Sequence, residues 1–227
     1  MSAQHESGTA VDRSARALRE LIRDGRLGPG EQIRQQEMAE QLSVSRAPLR
    51  EALKVLETEG VLSHSPNRGY FVTRLSADDL HQIYMMRELL ESALLQSIKW
   101  PSRVTLRAIT KTNDLMKKAI DAGDLAAIVA RNREFHYQIF ELSPFDLIRK
   151  EVERLWSVSE PYRAVYLYDQ RARERVLRDH QMVLEALERR DPSKLVEVSD
   201  QHRRGLEEHL SGFLAAHTGV STTKGDS

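Results

Sequence analysis

The stretch Val44–Leu62 reads VSRAPLREALKVLETEGVL and admits few folded states. Its apolar residues Leu49, Leu53 and Leu56 recur at helical spacing, while Arg46, Arg50 and Lys54 follow one another at four-residue intervals along another face. Ser45 stands where a helix is capped, and Pro48 falls in the first turn, where its missing amide proton costs little. Such a helix packs one side and offers cations on the other, as a helix that meets phosphate does. A solvated surface helix has the same pattern, so its neighbours decide between the two.

Upstream, Ala15–Asp24 (ARALRELIRD) places Ala17, Leu18, Leu21 and Ile22 at helical spacing and predicts a first helix ended by Gly25. Gly28, Pro29 and Gly30 demand a turn, and Gln35–Leu42 (QQEMAEQL) predicts a second helix joined to the third only through Ser43 and Val44. Downstream, Val61–Ser65 predicts a strand, Pro66-Asn67-Arg68-Gly69 a turn, and Tyr70–Thr73 (YFVT) a second strand rich in aromatic and β-branched residues. Three helices and a hairpin make a winged helix-turn-helix.

From Ser76 onward the β signals vanish. Six helices are predicted, at Asp78–Ile98, Ser102–Ala122, Leu125–Leu142, Phe145–Tyr166, Gln170–Arg190 and Pro192–His217. Their connections are short, so helices adjacent in sequence should run antiparallel in one bundle. The expected fold is mostly α: a winged head over 11–75, an all-α six-helix antiparallel bundle over 76–218, and a polar, disordered tail over 219–227.

Composition sets the limits. A chain of 227 residues with 40% apolar content can give two modest domains a core each. Having no cysteine, it holds no disulfide and no thiolate-bound metal. No run free of charge reaches the roughly 18 residues of a membrane span, and the first residues lack the apolar core of a signal peptide, so the expected location is the cytoplasm with no membrane partner. The formal net charge is +0, and the part up to Arg74 carries 11 Lys and Arg against 10 Asp and Glu. Any affinity for DNA must therefore come from a local cluster of cations.

The run from Leu27 to Val72, LGPGEQIRQQEMAEQLSVSRAPLREALKVLETEGVLSHSPNRGYFV, resembles the DNA-binding domain of GntR-type bacterial transcription regulators, with the SRxPxREAL segment at Ser45–Leu53. The helical remainder resembles the ligand-sensing FCD domain of the FadR branch, and six helices rather than seven make it similar to the VanR subgroup. The resemblance runs from Ala15 to His217. It implies a homodimer that binds a double-stranded DNA operator and responds to a small carboxylate.

On that resemblance the third helix is the recognition helix. Arg46 and Arg50, one turn apart, are the expected base readers, since a guanidinium fork takes both major-groove acceptors of a guanine. A surface ion pair of Arg50 in the neighbourhood of Glu51 or Glu57 is the alternative. Ser45 combines capping with a phosphate contact, Lys54 adds charge, and Ala47 can touch a thymine methyl where relatives often carry threonine. Gln36 occupies a position where relatives frequently have arginine. In the wing, His64, Asn67, Arg68 and Gly69 suit a minor-groove or backbone approach.

In the helical part, Asn132 and His136 share one helix face, and His180 and His202 fall in later amphipathic helices. Converging, they could hold one ion, and imidazoles with an oxygen ligand suit zinc, nickel or another divalent transition metal. The resemblance strengthens this, because metal-binding FCD domains supply Asp or Asn and three histidines at the matching positions. A neutral amide is a poorer ligand than a carboxylate, so Asn132 implies weaker binding than in relatives with Asp. His209 is a lesser candidate. For an effector, Arg87 is the expected anchor, with an ion pair near Glu88 or Glu91 as its alternative, and Arg163, Tyr166 and the nearby Tyr162 the opposite wall. Direct sensing of the metal and a metal-dependent hydrolase are the alternative functions, although no HExxH motif is present.

Overall fold

The computed structural model describes residues 9–218, so the tail expected at 219–227 lies outside them. The chain forms two compact units divided between Arg74 and Leu75.

In the first unit, helix α1 spans Ala10–Arg23, starting before the predicted Ala15. Thr9 and Asp12 form a reciprocal capping box: the Thr9 hydroxyl accepts from the Asp12 amide, and the Asp12 carboxylate accepts from the Thr9 amide. Glu31 N–H closes a turn onto the Gly28 carbonyl at 3.0 Å, with Pro29 and a positive φ of 81° at Gly30, the pattern of a type II turn. This turn feeds strand β1 (Gln32–Ile33), which the sequence reading missed because two residues show no alternation. Helices α2 (Gln35–Gln41) and α3 (Arg46–Thr58) follow, joined through Ser43 at φ 53°, a left-handed helix end usually given to glycine.

Strands β2 (Leu62–Ser65) and β3 (Gly69–Val72) form the hairpin, and β1 adds to it in the order β1-β3-β2, all antiparallel. Leu18 and Ile22 of α1, Leu49, Leu53 and Leu56 of α3, and Leu62 and Val72 of the sheet make its core. A forked ion pair of Arg19 with Glu59, 2.6 Å at its shortest, ties α1 to the end of α3.

The second unit contains six helices among the described residues: α4 (Ala77–Gln96), α5 (Arg103–Ala122), α6 (Leu125–Phe140), α7 (Asp146–Tyr168), α8 (Gln170–Arg189) and α9 (Pro192–Thr218). Ser76 and Asp79 repeat the capping box at α4, Ser102 caps α5, Asp124 caps α6 and Asp169 caps α8. Sequence neighbours α5 and α6 pack together, as do α8 and α9. Helix α4 departs from the expectation and packs chiefly on α9 and α7, closing the bundle instead of pairing with α5. The core runs through Leu94, Ile109, Phe135, Ile139, Val152, Trp156, Val183, Leu187 and Leu195. Pro161 interrupts the hydrogen-bond ladder of α7 beside the buried Ser159, Glu160 and Arg163.

Candidate functional site

In the first unit, α3 presents its apolar side inward and leaves Arg46, Ala47, Arg50 and Lys54 exposed. Arg46 and Arg50 make no ion pair among the described residues, so the pairing weighed for Arg50 is not formed. Lys54 instead bonds Glu51 at 2.9 Å, and Gln36 bonds Glu40 at 2.8 Å, so neither is as free as expected. Ser45 occupies the N-cap position, but its hydroxyl makes no capping hydrogen bond, contrary to the expected cap. The amides at that helix end therefore keep their capacity to meet an anion.

At the wing tip, Arg68 N–H closes a turn onto the Ser65 carbonyl, and Asn67 and Gly69 take φ values of 63° and 88°. Gly69 is required by that φ, because a Cβ there would meet nothing within 4 Å. His64 packs on its cross-strand partner Tyr70 at 4.7 Å, and the Arg68 guanidinium lies 5.3 Å from the Phe71 ring. Arg68 and His64 thus project from a stiff, aromatic-backed hairpin.

In the second unit, α6, α8 and α9 bring His136, His180 and His202 together, each offering one ligand atom within 4.8 Å of the others. The Nδ1–H of His180 donates to Asn113 Oδ1 at 3.0 Å, and that of His202 donates to Asp179 Oδ2 at 3.0 Å. With Nδ1 so held, the Nε2 lone pairs are left for the centre of the cluster. The Nε2 atoms of His136 and His180 lie 3.2 Å apart, where two lone pairs repel and either a proton or a cation must intervene. Burial first, then the neighbouring imidazoles, holds His136 and His180 well below the usual histidine range, so both stay neutral and able to ligate. Asn132 lines the same cavity, and its Oδ1 is buried without a hydrogen-bond partner. Three imidazole nitrogens and one orphaned amide oxygen suit a divalent transition metal. His209 is exposed and packs against Tyr166, outside the cluster.

The cavity continues to Arg87, Arg163, Tyr166 and Arg203. Glu91 binds Arg87 Nε at 2.7 Å, Arg203 Nη1 at 2.7 Å and Trp156 Nε1 at 2.7 Å. Burial would raise its carboxyl, but the guanidiniums of Arg87 and Arg203 outweigh this and hold it at about 2. Arg87 is thus committed mainly to Glu91, the alternative weighed from sequence, and its Nη1 is buried without a partner.

Arg163 differs. It is 2% exposed, lies 3.7 Å over the Trp156 ring, and has no partner for Nε, Nη1 or Nη2. Burial, then Arg87, lowers its pKa from the usual arginine value. The Trp156 ring is also 5.1 Å from that of His136, so the orphaned guanidinium and the imidazoles rest on one indole. Tyr162 does not line this wall, and its hydroxyl accepts from the Leu75 amide at 2.6 Å. Sequence reasoning named Glu91 only as an ion-pair alternative for Arg87, and it missed Arg203, Trp156, Asn113 and Asp179. Only the four-residue spacing of Arg87 and Glu91 and the adjacency of Arg203 to His202 offered a signal.

Residues 82–205 match the FCD domain, and residues 10–72 match the description "Bacterial regulatory proteins, gntR family". The Nta operon transcriptional regulator of Aminobacter aminovorans is 30% identical over 88% of this chain and 94% of its own length. The chain belongs to the GntR family of bacterial regulatory proteins. The uncharacterized HTH-type transcriptional regulator YdhC of Bacillus subtilis is 29% identical, covering 82% of each chain. Among solved structures, E. coli McbR/YncC superposes with a TM-score of 0.80 at 22% identity over 93% of this chain and 99% of that one, a likeness of fold. A GntR regulator from Rhodococcus gives 0.78 at 22% identity over 89% and 97%.

This GntR-family protein is thus a DNA-binding transcription regulator with a winged helix-turn-helix and an FCD domain, and its relatives are named regulators, not enzymes. The hydrolase alternative falls with them. Glu134, the acid nearest His136 in sequence, is ion-paired with Arg131 and does not line the cavity. No helix among the described residues is long and apolar enough to cross a membrane.

Proposed function

We propose that this regulator is a homodimer whose DNA affinity is set by a small carboxylate bound beside a divalent metal, zinc or nickel, in the helical unit. The observation that carries the reading is Arg163, a buried guanidinium with every nitrogen unpartnered in the cavity that His136, His202 and Asn132 line, with His180 completing the histidine cluster beside it. An unpaired buried charge is expensive, and a carboxylate held by the guanidinium fork is its physical complement. Those three histidines and Asn132 would hold the metal, which when bound supplies a Lewis-acidic position for a second oxygen of the acid. Arg163 anchors the carboxylate, and Tyr166 and the free Nη1 of Arg87 face the same space.

The cavity volume is about 20 Å³, room for one ion or one water. An organic acid must therefore spread the walls. That requirement makes its affinity depend on the arrangement of the helices, which is what coupling to DNA binding needs. The exposed face of α4, with Met85, Met86 and Leu89, supports self-association, and a two-fold protein reads two half-sites. Arg46 and Arg50 read bases, and Ser45, Ala47, Lys54, Gln36 and the wing residues His64, Asn67, Arg68 and Gly69 contact the duplex.

The test is DNA binding by fluorescence anisotropy with a panel of carboxylates, each with zinc, nickel or chelator. The reading expects an acid to change affinity only with metal present. A change produced by metal alone supports direct metal sensing. No change with any acid sinks the acid-sensor reading.

A further inference from the structure

Gly205 sits buried in the middle of α9, where glycine weakens a helix. A Cβ at this position would lie 1.9 Å from Nη2, 2.2 Å from Cζ and 2.7 Å from Nη1 of Arg175, a residue of α8. The guanidinium therefore rests on the bare backbone of α9, in space that any other residue would take. From there its Nε lies 3.9 Å from Asp179 Oδ2, the same oxygen that accepts from His202 Nδ1 at 3.0 Å. His202 and Gly205, three residues apart, share one face of α9, and Arg175 and Asp179, four apart, share one face of α8. The next residues, Val176 and Leu206, line the cavity itself.

We propose that Gly205 and Arg175 are positioning residues for His202. Glycine at 205 lets Arg175 lie across the seam between α8 and α9, the charge of Arg175 adds to the hold on Asp179 Oδ2, and Asp179 fixes the ring so that Nε2 faces His136 and His180. A carboxylate held from one side only swings with its own rotamer. Restrained by a cation as well as by the imidazole, it passes a single orientation to the ring it binds, and outer partners of this kind tune how well an imidazole ligates. The assignment rests on reading the three histidines as one metal site, but the geometry of the Asp179–His202 pair can be measured without any metal.

The experiment uses the full chain as Gly205→Ala, Arg175→Ala and the double variant, with circular dichroism melts to show that each folds. In the metal-free chain, ring nitrogen chemical shifts report the tautomer of His202. Wild type is expected to show the Nδ1–H form alone. Each single variant should mix tautomers, and the double should be no worse than Arg175→Ala, because glycine acts only through the arginine. Cobalt titration, followed by its visible absorption, should show about tenfold weaker binding in both single variants. An unchanged His202 tautomer in folded Gly205→Ala and Arg175→Ala overturns the proposal, as does a double variant whose losses simply add. If wild type binds no cobalt, zinc or nickel while the tautomers still shift as described, the metal reading falls and the positioning role stands.

Discussion

Arg163 makes the clearest statement at the scale of single residues, because none of its guanidinium nitrogens has a hydrogen-bond partner in the folded chain. Its replacement by methionine removes a buried charge that no hydrogen-bonded partner offsets. Arg163→Met should therefore raise the stability of the unliganded protein by about 1–3 kcal/mol in denaturant titrations while abolishing acid binding. A loss of stability instead would mean that its stacking on Trp156 outweighs the unpaired charge. The neutral histidines predict the acid limb. His136 and His180 titrate lower in the folded chain than in the unfolded one, so the unfolded chain takes up more protons as pH falls. Stability is complete above the ordinary histidine value of 6.5 and declines below it, by up to about 1.4 kcal/mol per pH unit for each imidazole. Glu91, lowered from 4.5 to about 2, adds a second loss across that interval. Melts of the metal-free protein at successive pH values check both, and Glu91→Gln should erase only the lower one. The sequence named His136, His180, His202, Asn132 and Arg163. It hid Asn113 and Asp179, because a partner on another helix carries no mark of spacing.

Elements were legible where a turn or cap signal marked their ends. Helices with a long apolar stripe, such as α5 and α8, could be placed nearly to the residue, and Gly123 with its φ of 69° ends α5 as expected. The start of α1 was not, because a Thr9-to-Asp12 capping box uses Asp where the familiar signature has Glu or Gln. Recognition of α3 rested on order, since its cations alone would describe any surface helix. With Arg46 and Arg50 free of ion pairs, each change to alanine should cost about 1–3 kcal/mol of specific DNA binding, and loss of selectivity at one operator position should identify the base read. Unchanged affinity in Arg46→Ala would remove it from the interface. On α4, Leu89 is 73% exposed and Met85 53%, beside Met86. Leu89→Lys should shift the protein from dimer to monomer in analytical ultracentrifugation, and a dimer that survives would place the contact elsewhere.

For the whole molecule, the division into a winged head and a helical bundle could be read from where β signals stop, near Ser76. How the bundle closes could not, since α4 meets α9 across most of the unit's length in sequence. That closure is also what assembles the site, as α4 brings Arg87 and Glu91, α6 and α8 bring His136 and His180, α7 brings Trp156 and Arg163, and α9 brings His202 and Arg203. A ligand among five helices can act on all of them. The central claim is that an acid anchored by Arg163 changes DNA affinity, and the direct measurement uses DNA selected from a random pool by the protein itself. Anisotropy titrations of wild type and Arg163→Met, with zinc or nickel and a panel of small carboxylates, should show one or more acids shifting wild-type affinity about tenfold, a coupling of about 1.4 kcal/mol, and none shifting the variant. An acid that moves both proteins equally, or a panel that moves neither, would contradict the account.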